Sequence, residues 1–307
     1  MILRFPKNLV QAGIFIEAVE CPSSEFPRRR FMLETDADLK SILLSSAVDV
    51  LVSQQKSRVD VVALLERAPP GYFKPAPLSE PLHMETAAAL EDAMLSMRQG
   101  LEGIAAGTLD MEHITSAAAT ARKGVEAAPE LFVEVTRLKA KHKATYLHSV
   151  VVAGLMAQMA SLMDFDDDMV DEIGRAGILH DLGKLLIPNA ILNKPGTLTA
   201  AEWRMIRSHP EIGYRHMKAL GGVSDIILDV CRLHHEALDG SGYPLGLKDD
   251  RISTVVRICT VCDVFDALTS VRPYKKAWST ADALTWMYDQ PHLFDRKLIL
   301  RLGSMFR

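Results

Sequence analysis

Apolar residues recur at helical spacing through most of this 307-residue chain, from about residue 84 to its end. This spacing puts them on one face of each helix, and the alternation of β-branched residues that typifies strands is scarce there. The pattern predicts helices over 84–106, 110–140, 145–163, 167–180, 200–219, 224–236 and 252–269. We therefore expect an all-α domain, which makes the whole protein mainly α.

The first 66 residues read differently, as a small α+β N-terminal domain. Residues 13–20 and 48–52 have strand patterns, and a short helix is predicted over 36–44. Residues 67–83 hold five prolines, which exclude a helix or central strand and predict a linker. Residues 84–140 are predicted to be connecting helices that offer a surface for homodimerisation, and 141–307 the catalytic domain.

Composition excludes several classes of protein. A net charge of −4 provides no basic field for duplex nucleic acid, so a phosphorylated ligand would need a local basic patch or bound cations. The most apolar segment, Val150–Met163, is too short to span a bilayer, and the N-terminus has no signal-peptide pattern. We expect a cytoplasmic protein without membrane insertion. Cys259 and Cys262 form a C-x-x-C, but their apolar surroundings favour small buried helix residues over a zinc or redox site.

Five of the ten histidines have neighbours that suggest metal binding. His180 precedes Asp181, whose carboxylate can bridge two cations, and His234 precedes His235. Alone, the first pair carries little weight, and the second could equally be a capped helix end. The candidate ligands together are His148, His180, Asp181, His209, His234, His235 and Asp263. Five imidazoles and two carboxylates suit a pair of transition metals such as iron or manganese better than calcium or magnesium.

The order and spacing of several motifs resemble the HD-GYP family, a branch of the HD phosphohydrolase superfamily that hydrolyses cyclic di-GMP in bacterial signalling. The resemblance runs from His148 to about Trp286. It includes HDLGKLLIPNAILNKPGTLTAAEW, the His-Pro of Ser208–Pro210, HHEALDGSGYPLGL and DVFDALTSVRPYKKAWS. Residues 1–66 are more loosely similar to a small domain often found ahead of HD-GYP domains.

The resemblance implies a role for each matching residue. One metal would be held by His148, His180, Asp181 and Asp263, and Asp181 would bridge to a second metal held by His209, His234 and His235. Lys184 would lie beside the scissile phosphate, and the remaining substrate contacts would be Tyr243, Arg272 and Lys275. From the residues alone, Tyr243 could stack on a guanine or pack its loop. Asp239 and Asp266 read as capping residues or as braces for histidine N–H groups.

The implied reaction is hydrolysis of cyclic di-GMP to linear pGpG by a metal-bridging hydroxide, with onward cleavage to GMP left open. Two departures from the family pattern bear on this expectation. Ala144 stands where some members have a glutamate for a third metal, so we expect a binuclear site. Ala237 stands where a basic residue is common, which leaves two alternatives: a cyclic-dinucleotide-binding scaffold with weak or no turnover, and hydrolysis of a mixed cyclic GMP-AMP.

Overall fold

The computed structural model describes most of the chain, in two compact units that span Met1–Pro77 and Leu78–Phe306. The described residues are 2–19, 21, 26, 28, 30–47, 49–53, 56–61, 64, 80–129, 131–133, 144–192, 194, 196–270 and 277–306. Helices dominate the second unit and the only sheet among these residues lies in the first, which confirms the mainly α class. Most of the predicted linker lies outside the described residues, and the predicted domain boundaries stay predictions.

The first unit is a four-stranded antiparallel sheet with one α-helix. The strands are β1 (Ile2–Pro6), β2 (Phe15–Val19), β3 (Phe31–Met32) and β4 (Asp49–Ser53), in the order β1-β4-β2-β3, and α1 spans Asp36–Leu44. Thr35 caps α1 by accepting a hydrogen bond from the backbone N–H of Asp38. The two strands and the helix predicted here are present, whereas β1 and β3 were not predicted.

The second unit is a bundle of α-helices. They are α2 (Glu80–Leu101), α3 (Met111–Ala127), α4 (Ala144–Leu162), α5 (Asp167–Leu179), α6 (Asn189–Leu192), α7 (Ala200–Arg207), α8 (His209–Leu220), α9 (Asp225–Leu233), α10 (Thr254–Thr269), α11 (Thr280–Tyr288) and α12 (Arg296–Gly303). A 3-10 helix, Leu182–Leu186, follows α5. The seven predicted helices correspond to α2–α5 and α7–α10, because the predicted helix 200–219 is two helices. The predicted helix 110–140 is interrupted at Ala128, and residues 129 and 131–133 are helical again, while 130 and 134–140 lie outside the described residues. Helices α6, α11 and α12 were not predicted.

The break between α7 and α8 has a covalent cause. Pro210 has no N–H, so it cannot donate to the carbonyl of Ile206 four residues earlier as a continuous helix requires. Nδ1 of His209 lies 2.7 Å from that carbonyl oxygen instead. The proline therefore ends one helix, begins the next and leaves an acceptor that fixes the histidine ring.

Helix α4 forms the centre of the bundle. By length and composition its window Thr145–Leu162 could cross a membrane, but 67% of that window is buried inside the protein. Its buried side chains pack against α3, α5 and α10. Cys259 and Cys262 are free thiols buried on α10, which confirms the interpretation that they are small core residues.

The segment before α7 is held by one glutamate. Thr199 and Glu202 form a reciprocal capping box at the N-terminus of α7. The Glu202 carboxylate also accepts hydrogen bonds from Nζ of Lys194, at 2.7 and 2.8 Å. Both residues lie in the motif LNKPGTLTAAEW, and their contact is made at the start of the helix that leads to His209.

Close packing of α5 on α4 predicts a steric effect at Gly177. A Cβ there would lie 2.5 Å from Cα of Ala153, whereas a Cβ at Gly174, on the same helix, would meet nothing closer than 3.4 Å. We expect Gly177→Ala to lower the free energy of unfolding by about 1–3 kcal/mol, because backbone must move. Gly174→Ala should stay within about 1 kcal/mol of wild type or raise stability. Urea denaturation followed by circular dichroism measures both, and equal effects would contradict this packing.

Glu202 predicts a pH-dependent contribution to stability. Hydrogen bonds from Lys194 and Thr199 lower the pKa of Glu202 from 4.5 to about 2. Because the pKa is lower in the folded state, the stabilisation is complete above pH 4.5 and disappears as the pH falls through about 2. Glu202→Gln should therefore lower the melting temperature at pH 7, by a margin that shrinks towards pH 2. Glu126→Gln, at an exposed position of α3, is the control and should show no such trend.

Candidate metal centre

The structure brings all seven predicted ligand residues together inside the second unit. They form two adjoining groups whose ligand atoms lie within 4.8 Å of one another: Asp181, His209, His234 and His235 in one, and His148, His180 and Asp263 in the other. The residues come from α4, α8, α10 and the ends of α5 and α9. All are buried except His148 and His235, which are half-buried.

Three of the histidines are fixed in the same way, at the ends of helices. His180 and His234 directly follow the last residues of α5 and α9, and His209 lies just beyond the end of α7. Nδ1 of His180 lies 2.7 Å from the carbonyl oxygen of Gly177, and Nδ1 of His234 lies 3.0 Å from that of Cys231. Since a carbonyl oxygen only accepts, Nδ1 carries the proton in each neutral ring. The Nε2 lone pair is then free to bind a cation.

Asp181 lies between the two groups and faces both. Its Oδ1 is 3.2 Å from Nε2 of His209 and 3.5 Å from Nε2 of His234. Its Oδ2 is 3.5 Å from Nε2 of His180 and 3.6 Å from Nε2 of His148. One carboxylate therefore offers one oxygen to each group, which is the arrangement that a bridging ligand requires.

The half-buried His148 is oriented by a second carboxylate on α10. Its Nδ1 lies 2.6 Å from Oδ2 of Asp266, and its Nε2 lies 3.1 Å from Oδ1 of Asp263, one helical turn earlier. Asp266 therefore braces a histidine N–H, as the sequence suggested. The other Asp263 oxygen, Oδ2, lies 3.7 Å from Nδ1 of His235.

Burial and charge set the protonation of these groups. Burial lowers the pKa of His180 to about 3 and that of His235 to about 2, so both rings are neutral at physiological pH. Burial opposes ionisation of Asp181 as well, but the charge of Lys184 and the neighbouring imidazoles together outweigh it and hold the pKa well below 3.8. Burial also disfavours charge on His148, yet hydrogen bonds with Asp263 and Asp266 raise its pKa to about 10.

Three features of the cluster fit a bound cation. Nε2 of His209 and Nε2 of His234 lie 3.2 Å apart, and with Nδ1 protonated on both rings their lone pairs repel unless a cation lies beside them. Among the described residues, Nε2 of His180 and Oδ1 of Asp181 are buried without a hydrogen-bond partner. Such orphaned groups are costly in an interior. The negative ends of the α5, α7 and α9 dipoles also point here, which favours positive charge. The cluster is a site for divalent metal.

Lys184 and the loop after His235 lie beside this cluster. Nζ of Lys184, in the 3-10 helix, donates to Oδ2 of Asp181 at 2.5 Å. The Tyr243 ring packs against the ring of His235, with centroids 4.7 Å apart. The guanidinium carbon of Arg207 lies 4.4 Å from the Tyr243 centroid. Tyr243 thus packs in its loop beside the cluster. Burial raises its pKa above the ordinary 10.

Sequence reasoning missed two residues around this loop. Glu236 is buried and accepts hydrogen bonds from the backbone N–H groups of Leu245 and Leu247, at 2.7 and 2.9 Å, which holds the loop in place. An acid directly after two histidines was the available signal. Arg207 had no such sequence signal, because in sequence it is indistinguishable from Arg204 on the same helix. The predicted phosphate contacts Arg272 and Lys275 lie outside the described residues.

Comparison with known families and curated proteins gives consistent results. The sequence profile of the HD domain family matches residues 120–298. The chain is 35% identical to the cyclic di-GMP phosphodiesterase PA4108 of Pseudomonas aeruginosa, over 96% of this chain and 74% of that protein. It is 32% identical to the cyclic di-GMP phosphodiesterase response regulator RpfG of Xanthomonas campestris, over 90% and 70%. Identity to the 3′3′-cGAMP-specific phosphodiesterase 3 of Vibrio cholerae is 37%, over 52% and 34%.

A solved structure shares the fold. The HDG"Y"P protein Bd1817 of Bdellovibrio bacteriovorus aligns over 99% of both chains, with a TM-score of 0.59 and 14% sequence identity. At that identity the likeness concerns the fold alone.

The contact between Asp266 and His148 predicts a loss of metal affinity when the carboxylate is removed. We expect Asp266→Ala to weaken Mn²⁺ binding by roughly 10–100-fold, because the His148 ring loses the partner that orients it. Asp266→Asn, which keeps an oxygen acceptor, should lose less. Isothermal titration with Mn²⁺ measures this affinity, and circular dichroism checks the fold. Asp289→Ala, at an exposed position after α11, is the control; an Asp266→Ala protein that bound Mn²⁺ like this control would refute the bracing role.

Proposed function

The chain belongs to the HD-GYP family of HD-domain hydrolases, and on that premise we propose that it hydrolyses cyclic di-GMP to linear pGpG. The observation that carries the proposal is the Asp181-centred cluster, where one carboxylate faces two sets of ligand atoms beside the ammonium of Lys184. The 35% identity to a cyclic di-GMP phosphodiesterase over 96% of the chain supports this substrate. Onward cleavage of pGpG to GMP would use the same groups.

The proposed site holds two divalent cations, with iron or manganese preferred because imidazole supplies five of the seven ligand residues. His148, His180 and Asp263 would hold one, His209, His234 and His235 the other, and Asp181 both. When bound, such a pair makes water a stronger nucleophile at neutral pH and neutralises charge on phosphoryl oxygens. Absence of a third metal, expected from Ala144, is part of this proposal.

The protein's own groups would position the phosphodiester. Asp181 stays ionised because Lys184 and the neighbouring imidazoles hold its pKa down. Lys184 is half-buried with its ammonium at the cluster, so it can donate to a phosphoryl oxygen and stabilise charge that develops there. Tyr243, Arg272 and Lys275 remain proposed substrate contacts. We place this activity in the cytoplasm, since the one described helix apolar enough for a membrane is mostly buried in the protein core.

A mixed cyclic GMP-AMP is the second candidate substrate. Relatives named as 3′3′-cGAMP-specific phosphodiesterases are 36–37% identical over 46–52% of this chain. Ala237, where the family commonly has a basic residue, is the sequence feature that keeps this candidate open. A scaffold that binds a cyclic dinucleotide without turnover is the third.

One experiment separates these functions. Protein purified anaerobically and loaded with iron or with manganese is analysed for metal content and mixed with equal cyclic di-GMP and 3′3′-cGAMP. Faster conversion of cyclic di-GMP to pGpG supports the proposal. Faster loss of 3′3′-cGAMP would assign the second candidate, and binding without cleavage in both metal forms would assign the scaffold.

Variants of the cluster should separate metal binding from rate. We expect His180→Ala and Asp181→Ala to lose metal and turnover together, since each removes a buried ligand. Lys184→Ala should keep its metal and lower the rate by about 10²–10³-fold, the effect of losing one donor to a developing charge. Metal analysis and turnover are measured on the same samples. A metal-free Lys184→Ala protein would show that the lysine braces Asp181 and has no direct role in the reaction.

A further inference from the structure

Arg207 is an exposed residue at the rim of the metal centre. It lies outside the motifs that carry the family resemblance. Arg207 is the last residue of α7 and stands two positions before His209. Its guanidinium carbon lies 4.4 Å from the centroid of the Tyr243 ring, and that ring lies 4.7 Å from the ring of His235. Two ring contacts thus connect a guanidinium to a histidine of the centre.

The charge of Arg207 is not used by a carboxylate in the described part of the chain. By contrast, Lys184 forms an ion pair with Asp181, and Lys194 forms one with Glu202. Arg207 forms neither a hydrogen bond nor an ion pair with any described residue. A guanidinium that lies over an aromatic ring is held in place by a cation–π contact and can keep its N–H donors for other partners. Its donors therefore remain available to an anion at the rim.

A general role at the end of the helix does not account for this placement. Basic residues in the last turn of a helix interact favourably with its dipole, and Arg204 and Arg207 both occupy the last turn of α7. Both are exposed, but of the two only Arg207 has an aromatic contact among the described residues. The Tyr243 contact turns one of two similar arginines towards the centre.

We propose that Arg207 binds the second phosphodiester of the cyclic dinucleotide, the one that is not being cleaved; this rests on the proposed function. A cyclic dinucleotide carries two phosphodiesters, each with one negative charge. The metal centre and Lys184 can serve the one under attack. The other would approach a chain of net charge −4, beside the carboxylates of the cluster, and Arg207 would supply a cation for it in addition to the proposed contacts Arg272 and Lys275. The Arg207 guanidinium, which contacts the Tyr243 ring beside His235, would supply paired donors for that phosphodiester.

The test compares three probes on metal-loaded wild type, Arg207→Ala, Arg207→Lys and the control Arg204→Ala. Cyclic di-GMP has two phosphodiesters, linear GpG has the same bases with one, and bis(p-nitrophenyl) phosphate has one and no base. For Arg207→Ala we expect kcat/KM for cyclic di-GMP to fall about 10–100-fold, mainly through KM, as for a lost charge-assisted hydrogen bond. The inhibition constant of GpG and the rate with bis(p-nitrophenyl) phosphate should not change. Arg207→Lys should recover part of the loss, and Arg204→Ala should match wild type.

Other outcomes overturn the inference in distinguishable ways. Weaker inhibition by GpG in Arg207→Ala would show that the arginine contacts a base. A slower reaction with bis(p-nitrophenyl) phosphate would show that it acts only by holding Tyr243 against His235. Equal behaviour of Arg207→Ala and Arg204→Ala would remove any specific role. If wild type neither cleaved nor bound cyclic di-GMP, the proposed function would fail as well.

Discussion

The ends of helices are where this site is made. A helix leaves its last carbonyl groups without intrahelical partners, and here those carbonyls hold Nδ1 of His180, His209 and His234. Each ring is thereby locked with its unprotonated nitrogen towards a common centre. The same helix ends bring the negative poles of three dipoles together. Ligand geometry and favourable electrostatics for a cation thus arise from one structural device.

Asp181 lies among the histidines that these helix ends hold, and it completes the cluster. A buried carboxylate is unfavourable without compensation, and Asp181 has a lysine on one oxygen and imidazole nitrogens around both. Because the nitrogens facing Oδ1 carry no proton, they do not hydrogen bond to it, and Oδ1 remains unsatisfied. The cluster is therefore electrostatically incomplete by itself, which is what a metal centre requires of its protein.

Prediction from sequence succeeded where the signal is local or chemical. Helical periodicity located α2–α5 and α7–α10, and unusual pairs of ligand side chains located four members of the cluster. The other three, His148, His209 and Asp263, followed from their place near those pairs and from the family resemblance. The prediction of one continuous helix over 200–219 was wrong, because Pro210 interrupts the backbone hydrogen bonds there even though the apolar pattern continues. Prediction from sequence also missed β1 and β3, which are short strands stabilised by pairing with β4 and β2. Strand pairing is a long-range interaction that periodicity within one segment does not contain.

The sequence by itself determined the fold class, the identity of the candidate ligands and the chemistry that they favour, since these follow from residue types and local spacing. Only the tertiary structure decided which oxygen of Asp181 faces which histidines and that Asp266 braces His148 across two helices. Only the tertiary structure shows that Arg207 contacts Tyr243 and that Arg204 does not have that contact. Residues up to 118 positions apart meet in these contacts, and their meeting depends on how helices pack, which no single segment encodes.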